Sequence, residues 1–414
     1  MKNSTFQRIA SISYNSSDSK DDLMQNTVFP KNFLFGAGIC DYQHFGGSNC
    51  DLPMIPAAKH SLFYKNDFRL LNELKLNAFR TSIEWARIEP EEGKIDENSV
   101  KFYHEYFNRL KKMGVATIVT LHHFTNPKWI HKHGGWLSQK TVKKFLGYVD
   151  FVSEEFDESI DYYITINEPT IYTQLAYMAG ARGLPPYHRD SKEAKLCLRN
   201  MNEAIRETYR IIHEKNKKAR VGVSQDCNVL PLALQDHRGL LPWLMAKIPL
   251  NIAIDNQIEN WEAKYDFCGV NYYSKPFLGK QQVYPEGLRK ICTQLFKKYR
   301  KPILITENGL SNRDDAQKTI FLVQHLKSVL NAIAIDRTEI IGYCWWSFLH
   351  GYEWGFGYKP FFALVDVDVE ASYKRAPTKT AYVYSKIIQN QGFLLDLCKK
   401  FGTLRAAVKF EDWL

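Results

Sequence analysis

Two glutamates stand where predicted strands end, and each is followed by a residue that interrupts a strand. The apolar run at 303–305 predicts a strand buried on both faces, which ends at Glu307 just before Gly309, a residue that permits a sharp turn. The run at 162–167 predicts a second strand, which ends at Glu168 because Pro169 has no N–H to donate to a sheet. A carboxylate at the end of a buried strand costs desolvation energy unless other groups solvate it.

The pairing of Glu168 with Glu307 carries more information than either residue alone. A single Thr-Glu-Asn-Gly stretch also suits an ordinary surface turn. If the two strands are parallel members of one barrel, however, both carboxylates face the same mouth. Paired carboxylates across a gap the size of a sugar are the groups that hydrolyse glycosidic bonds. The pair therefore favours a hydrolytic site for a sugar.

Eight predicted strands alternate with helical segments along the chain. The strands are predicted at residues 33–37, 78–83, 115–121, 162–167, 220–224, 267–273, 303–307 and 340–346. The alternation predicts an α/β protein with a single (β/α)8 TIM barrel over residues 28–414. A polar stretch at 1–27 predicts a disordered N-terminal tail. The pattern between 229 and 261 is mixed and predicts no clear path.

Helical spacing links the predicted strands. Helices are predicted at 67–76, 99–113 and 192–216, and another follows Ser138, a plausible N-cap. A closing helix is predicted at 377–391, with Pro377 in its first turn.

Composition and charge restrict the partners and the location. The formal net charge is +10, but the basic residues are scattered, which favours a solvated surface and no nucleic-acid partner. No apolar run reaches the roughly 18 residues that cross a membrane, and the N-terminus lacks the apolar core of a signal peptide. The eight cysteines form no Cys-x-x-Cys pair, which indicates free thiols and a cytoplasmic location. Neither a cofactor nor a bound metal ion is expected.

Short motifs throughout the chain resemble those of glycoside hydrolase family 1, the β-glucosidase family. The two signatures are Ile-Asn-Glu-Pro at 166–169 and Ile-Thr-Glu-Asn-Gly at 305–309. Further motifs similar to the family's stand in family order between about residues 29 and 391. They lie at 33–43, 80–85, 120–124, 134–136, 271–273, 346–349, 353–354 and 374–377.

The resemblance implies a role for each candidate residue. Glu307 would be the nucleophile and Glu168 the acid/base of a retaining β-glycosidase, which passes through a covalent glycosyl-enzyme. Arg80 and Tyr273 would contact and orient the nucleophile. The substrate would be a small-molecule β-glycoside or oligosaccharide, cleaved at its non-reducing terminal β-glucosyl or β-galactosyl unit. The residues that would bind this sugar are Gln43, His123, Asn167, Asn271, Trp346, Glu353 and Trp354.

Three other functions stay open on the residues alone. The first is a 6-phospho-β-glycosidase, since Lys359 is close in sequence, although Glu353 would repel a phosphate. The second is a non-catalytic glycan-binding relative, a class that usually lacks one catalytic glutamate. The third is a metal-dependent barrel hydrolase, suggested by the histidine pairs at 122–123 and 131–133.

Several candidates also have a structural interpretation, and some positions depart from the family. Arg80 could form a structural ion pair, and His123 could be an ordinary core histidine. Phe45 stands where the family usually has glutamate. Residues 350–351 and 361–363 differ from the usual motifs, and the stretch between the two glutamates is short for the family. These departures affect the outer cleft and leave the leaving-group preference without a prediction. The sequence makes no prediction of the oligomeric state.

Overall fold

A computed structural model describes most of the chain. The described residues are 28–46, 49–227, 265–273, 276–277, 280–281, 283–369 and 371–393. The predicted tail at 1–27, the whole of the uncertain stretch at 229–261 and the residues after 393 lie outside this range.

Eight parallel strands close into a barrel, which confirms the predicted fold class. They are numbered in chain order as β1 Leu34–Gly38, β2 Ala78–Ser82, β3 Ala116–Thr120, β4 Tyr162–Asn167, β5 Arg220–Asp226, β6 Phe267–Tyr272, β7 Ile303–Asn308 and β8 Ile340–Trp346. Each strand pairs with its neighbours in sequence, and β1 pairs with both β2 and β8 to close the ring. The carboxyl ends of all eight strands therefore meet at one mouth.

Ten α-helices lie in the described part of the chain. They are α1 Asp41–Phe45, α2 His60–Glu73, α3 Trp85–Ile88, α4 Glu97–Lys112, α5 Gln139–Glu155, α6 Pro169–Tyr177, α7 Ser191–Lys215, α8 Pro285–Tyr299, α9 Asp315–Ala334 and α10 Lys379–Gln389. Ser138 caps α5 as predicted, since its side chain accepts a hydrogen bond from the backbone N–H of Lys140. Helix α2 begins seven residues before its predicted start, because buried His60 and Tyr64 pack against the core.

Short elements complete the described fold. Short 3₁₀ helices cover Lys128–His133, Gly135–Leu137, Asp157–Ser159, Gly180–Arg182 and Trp354–Phe356. Strand pairs outside the barrel join Val365–Asp368 to Lys374–Pro377, and Pro276–Phe277 to Lys280–Gln281.

The predicted start of the closing helix is wrong. Pro377 belongs to the strand Lys374–Pro377 and pairs with Val365. Thr378 is the residue that caps α10, by accepting from the backbone N–H of Ala381. Pro377 fits this place because the last position of an edge strand tolerates a residue without an N–H.

The core explains why the strands are rich in apolar residues and why even their polar residues are buried. Strands β2, β4, β6 and β7 are buried at every position, because helices cover the outside of the barrel and side chains fill the inside. The seven described cysteines are buried free thiols. No helix among the described residues is long and apolar enough to cross a membrane.

Candidate active site

Glu307 is the second-to-last residue of β7, near the mouth of the barrel. Two donors bind its carboxyl. The guanidinium of Arg80, at the middle of β2, donates through Nη1 to Oε1 of Glu307. The hydroxyl of Tyr273, just after β6, donates to Oε2 at 2.6 Å. Arg80 is fully buried and Glu307 is 5% exposed. A donor on each oxygen fixes the orientation of the Glu307 carboxyl.

Glu168 occupies a sharp junction between β4 and α6. Its backbone has φ +41° and ψ 59°, a left-handed conformation that is unusual for a residue with a side chain. Pro169 follows as the first residue of α6, where its missing N–H has no cost. The strand ends here as predicted, and the junction turns the Glu168 carboxyl toward the mouth, where the amide of Asn271 donates to it at 2.8 Å.

The pKa of Glu168 is raised well above its ordinary value. Burial of the carboxyl is the main cause, and the negative charges of Glu307 and Asp226 add to it. The hydrogen bond from Asn271 and the charge of Arg80 act in the opposite direction but do not cancel the rise. Glu168 therefore holds its proton more strongly than an ordinary glutamate, close to a second carboxyl that has strong donors.

Two asparagine amides connect the glutamates. The side-chain oxygen of Asn167 accepts from Nη2 of Arg80 at 2.7 Å, and its amide lies 3.2 Å from Nε2 of His123. The side-chain oxygen of Asn271 accepts from the hydroxyls of Ser224 and Thr306 at 2.6 and 2.7 Å. Because these donors fix each oxygen, the NH2 group of Asn271 points at Glu168. Ser224 and Thr306 were not predicted, since their role exists only across strands.

Aromatic rings form the wall beside the carboxyls. Trp346, at the end of β8, lies 5.8 Å from the ring of His123 at an interplanar angle of 27°, and its indole N–H donates to Glu353 at 3.1 Å. Trp354 stacks on Tyr42 with centroids 5.7 Å apart and lies 5.9 Å from His123. The predicted candidates Trp346, Trp354, His123 and Glu353 thus converge on one wall.

Two buried polar atoms at this wall have no hydrogen-bond partner among the described residues. Oε1 of Gln43 is buried and has no hydrogen-bond partner among the described residues, whereas its Nε2 donates to the carbonyl of Tyr352. Burial lowers the pKa of His123 well below its ordinary value, so its ring is neutral, and its Nδ1 has no partner in the described structure. Burial raises the pKa of Glu353 to about 8. Such groups suit a neutral polyhydroxylated ligand.

The neighbouring tryptophans divide as strand alternation requires. Trp346 faces the mouth, whereas Trp345 packs against Phe321 of α9 and donates to the carbonyl of Phe362. The prediction that only one of the two points inward is confirmed.

The histidine pairs do not converge on a common point. His131 lies 3.3 Å from Asp51, and His133 lies 3.0 Å from Glu92. His122 contacts Asn126 at 3.1 Å, away from His123. Among the residues that the structure describes, no group of histidine, cysteine and acidic side chains is arranged to hold a metal ion.

The positions that depart from the family are absorbed into packing. Phe45 is buried against His60 and Phe102. His350 lies 3.3 Å from Asp366, and Gly351 leaves no room for a side chain, because a Cβ would lie 2.7 Å from Nε2 of His44. These positions do not touch Glu168 or Glu307.

Comparisons with known proteins agree with the fold. A solved structure of a β-glycosidase from Pyrococcus horikoshii matches with a TM-score of 0.82, at 29% identity, over 92% of this chain and 99% of that chain. The chain is 27% identical to "Beta-glucosidase 21" of Arabidopsis thaliana, over 88% of this chain and 91% of that protein.

A further relative is longer than the matched region. The chain is 28% identical over 83% of its length to "Beta-glucosidase-like SFR2, chloroplastic" of Oryza sativa subsp. japonica, of which it spans 59%.

The profile of glycosyl hydrolase family 1 matches residues 55–239 and 278–393, which is more than half of the sequence. With the barrel and the strand-end glutamates in place, this match shows that the chain belongs to glycosyl hydrolase family 1.

Proposed function

We propose that this protein is a retaining β-glycosidase that removes the non-reducing terminal sugar from an unphosphorylated β-glucoside or β-galactoside. One observation carries the proposal: Glu168 and Glu307 share a mouth but have opposite surroundings. Glu307 has Arg80 and Tyr273 on its two oxygens, whereas burial and nearby negative charge raise the pKa of Glu168. One carboxyl is thereby prepared as a nucleophile and the other as an acid.

The first displacement uses each carboxyl once. An oxygen of Glu307 attacks the anomeric carbon, and the bond from that carbon to the leaving-group oxygen breaks. Glu168 delivers its proton to this oxygen, so that the leaving group departs as a neutral alcohol. Glu307 becomes an ester of the sugar and loses its negative charge.

The second displacement reverses the roles. The loss of charge on Glu307 removes one cause of the raised pKa of Glu168, which now acts as a base. Glu168 takes a proton from water, the water oxygen bonds to the anomeric carbon, and the ester to Glu307 breaks. Two inversions leave the sugar with its original β configuration.

The wall at Trp346 supports an unphosphorylated sugar. The apolar ring of Trp346 suits the C–H face of a sugar, and Gln43 and Glu353 offer polar atoms to its hydroxyls. Lys359 is exposed, and Glu353 would repel a phosphate whenever it is ionised. We therefore favour the unphosphorylated substrate over the 6-phosphate. The test compares turnover of nitrophenyl β-glucoside with that of its 6-phosphate, and a preference for the phosphate would reverse this choice.

The stereochemical test uses a panel of aryl β-glycosides. The anomer that forms first is identified by proton NMR before mutarotation, and the β anomer is expected. Net inversion would contradict the double displacement. A 2-deoxy-2-fluoro glycoside with a good leaving group is expected to label Glu307, which peptide mass spectrometry locates. If Glu307→Ala left the measured activity unchanged, the non-catalytic glycan-binding alternative would be favoured.

A further inference from the structure

A third carboxyl, that of Asp226, lies at the end of β5 among the residues around Glu168. Asp226 is 3% exposed. The hydroxyl of Ser224, two residues earlier, contacts Asn271 and Thr306, so Ser224 faces the inside of the barrel. Because side chains in a strand alternate between faces, Asp226 also faces inward, one layer closer to the mouth.

Strand register brings Asp226 beside the acid/base. Asp226 is the register partner of Asn271 in β6, and the amide of Asn271 donates to Glu168 at 2.8 Å. On the other side of β5, the backbone N–H of Glu168 donates to the carbonyl of Ser224 at 2.7 Å. The backbones of β4 and β6 therefore hold Glu168 and Asn271 on either side of the strand end that carries Asp226.

The charges that act on Glu168 come from three strands. Negative charge comes from Glu307 on β7 and Asp226 on β5, and positive charge from Arg80 on β2. The hydroxyl of Tyr273, after β6, is bound to Glu307 and stays neutral because its pKa is raised. Only Glu307 changes its charge when a glycosyl ester forms, whereas Asp226 is not consumed in either displacement.

We propose that Asp226 is a positioning residue for the acid/base, a carboxylate that lies beside Glu168 in both displacements. The inference rests on the proposed function and deepens it. In the first displacement Asp226 helps Glu168 to retain the proton that the leaving group needs. In the second, after Glu307 is neutralised, Asp226 makes the Glu168 carboxylate a stronger base toward water. No bond to Asp226 forms or breaks.

The experiment compares pH profiles of the wild-type protein and Asp226→Asn. For kcat/KM, the alkaline limb is expected to move to lower pH by about 0.5 to 1 unit, because one negative charge is lost near Glu168. For kcat with a dinitrophenyl glycoside, whose slow step is deglycosylation, the acid limb is expected to move in the same direction. A folded Asp226→Asn protein with both limbs unchanged would overturn the proposal.

Two variants separate charge from structure. Asp226→Glu keeps the charge and is expected to hold both limbs near the wild-type pH. Asp266→Asn removes a carboxylate from the opposite end of the same strand pair, where Asp266 accepts from the backbone N–H of Val221. Both limbs of the pH profiles of Asp266→Asn should stay at the wild-type pH. If Asp226→Asn altered only the maximal rate, Asp226 would have a purely structural role and the proposal would be wrong.

A direct titration covers the case in which activity is absent. Carboxyl carbon NMR of protein labelled at glutamate is carried out on Glu307→Gln, in which the nucleophile carries no charge. Introducing Asp226→Ser into this protein is expected to lower the pKa of Glu168, and an unchanged value would overturn the inference. Lack of turnover and of 2-fluoro labelling in the wild-type protein would instead contradict the proposed function, so the two failures are distinguishable.

Discussion

At the scale of single residues, the site depends on giving two chemically identical side chains different surroundings. Glu307 receives hydrogen bonds on both oxygens from Arg80 and Tyr273. Glu168 receives one from Asn271 and lies near two other negative charges. Burial and these two charges raise the pKa of Glu168, whereas the two donors hold the Glu307 carboxyl in a fixed orientation.

Removal of the acid should affect substrates according to their leaving group. Glu168→Ala is expected to lower kcat/KM by about 10²- to 10⁴-fold for alkyl glycosides, which need a proton, and far less for dinitrophenyl glycosides. Azide should restore activity and yield a β-glycosyl azide, because it attacks the glycosyl-enzyme without a base. Steady-state kinetics and NMR of the product check both points. An equal loss for all leaving groups would argue against an acid role.

Removal of one donor to the nucleophile should slow attack. Tyr273→Phe is expected to lower kcat/KM by about 10- to 100-fold, because a hydrogen bond to a charged group contributes about 1.5–3 kcal/mol. The matched control is Tyr162→Phe at the opposite end of the barrel, where the tyrosine hydroxyl accepts from Arg220. The control should retain activity. Equal effects of the two substitutions would show that loss of Tyr273 acts through general destabilisation.

At the scale of elements, the ends of β7 and β8 must approach closely for Glu307 and Trp346 to share a mouth. Gly309 shows how close they are, since a Cβ on it would lie 2.1 Å from the carbonyl oxygen of Trp346. The sequence predicts Gly309 as the residue of a sharp turn. It does not have a positive φ, however, and the close backbone contact is the structural reason for a glycine there.

Gly309→Ala should therefore disturb both stability and activity. Displacement of the Trp346 backbone is expected to lower the free energy of unfolding by about 1–3 kcal/mol, because backbone atoms cannot rotate away from the added Cβ. Urea unfolding and kcat/KM measure the two effects. Gly147→Ala is the control, since Gly147 lies in α5 with nothing within 4 Å of the added Cβ, and helix propensity favours alanine there. A Gly309→Ala protein as stable as this control would contradict the argument.

At the scale of the whole molecule, buried titratable groups make stability depend on pH. Burial raises the pKa of Asp41 to about 7 and that of Glu353 to about 8. Burial lowers the pKa of His44 and of His122 to about 4. The ordinary pKa values describe the unfolded chain. Between pH 4.5 and 6.5 the unfolded chain therefore binds more protons on these histidines, whereas the folded chain binds more protons on these carboxyls. The two effects on stability oppose each other in this range.

Above about pH 6.5 only the carboxyls still bind different numbers of protons in the folded and unfolded states, because the histidines are neutral in both states. The folded protein then binds more protons than the unfolded chain, and stability should fall as the pH rises to about 8. Urea midpoints across this range measure the fall. Glu353→Gln should reduce this fall in stability, whereas Glu105→Gln, at an exposed position, should not. A midpoint that rose with pH would contradict the assignment of raised carboxyl pKa values.

Much of the fold and of the candidate site follows from local sequence. The eight strands were predicted within a few residues, because buried apolar runs and breakers such as Pro169 act on their own neighbours in the chain. The start of α10 was predicted wrongly, because Pro377 pairs with Val365 in a strand that local spacing does not reveal. The roles of Gln43, His123 and Trp354 depended on the resemblance to a family and remain proposals.

The sequence by itself determined that Glu168 and Glu307 stand at the ends of barrel strands, and so that both can face the mouth, because these strand ends are set by nearest neighbours. Only the tertiary structure decided how those carboxyls differ. Asn271 reaches Glu168 across 103 positions of chain and Arg80 reaches Glu307 across 227, and Asp226 joins them through strand register alone. Proton affinity depends on burial and on charges nearby in space, and these exist only once the barrel has closed.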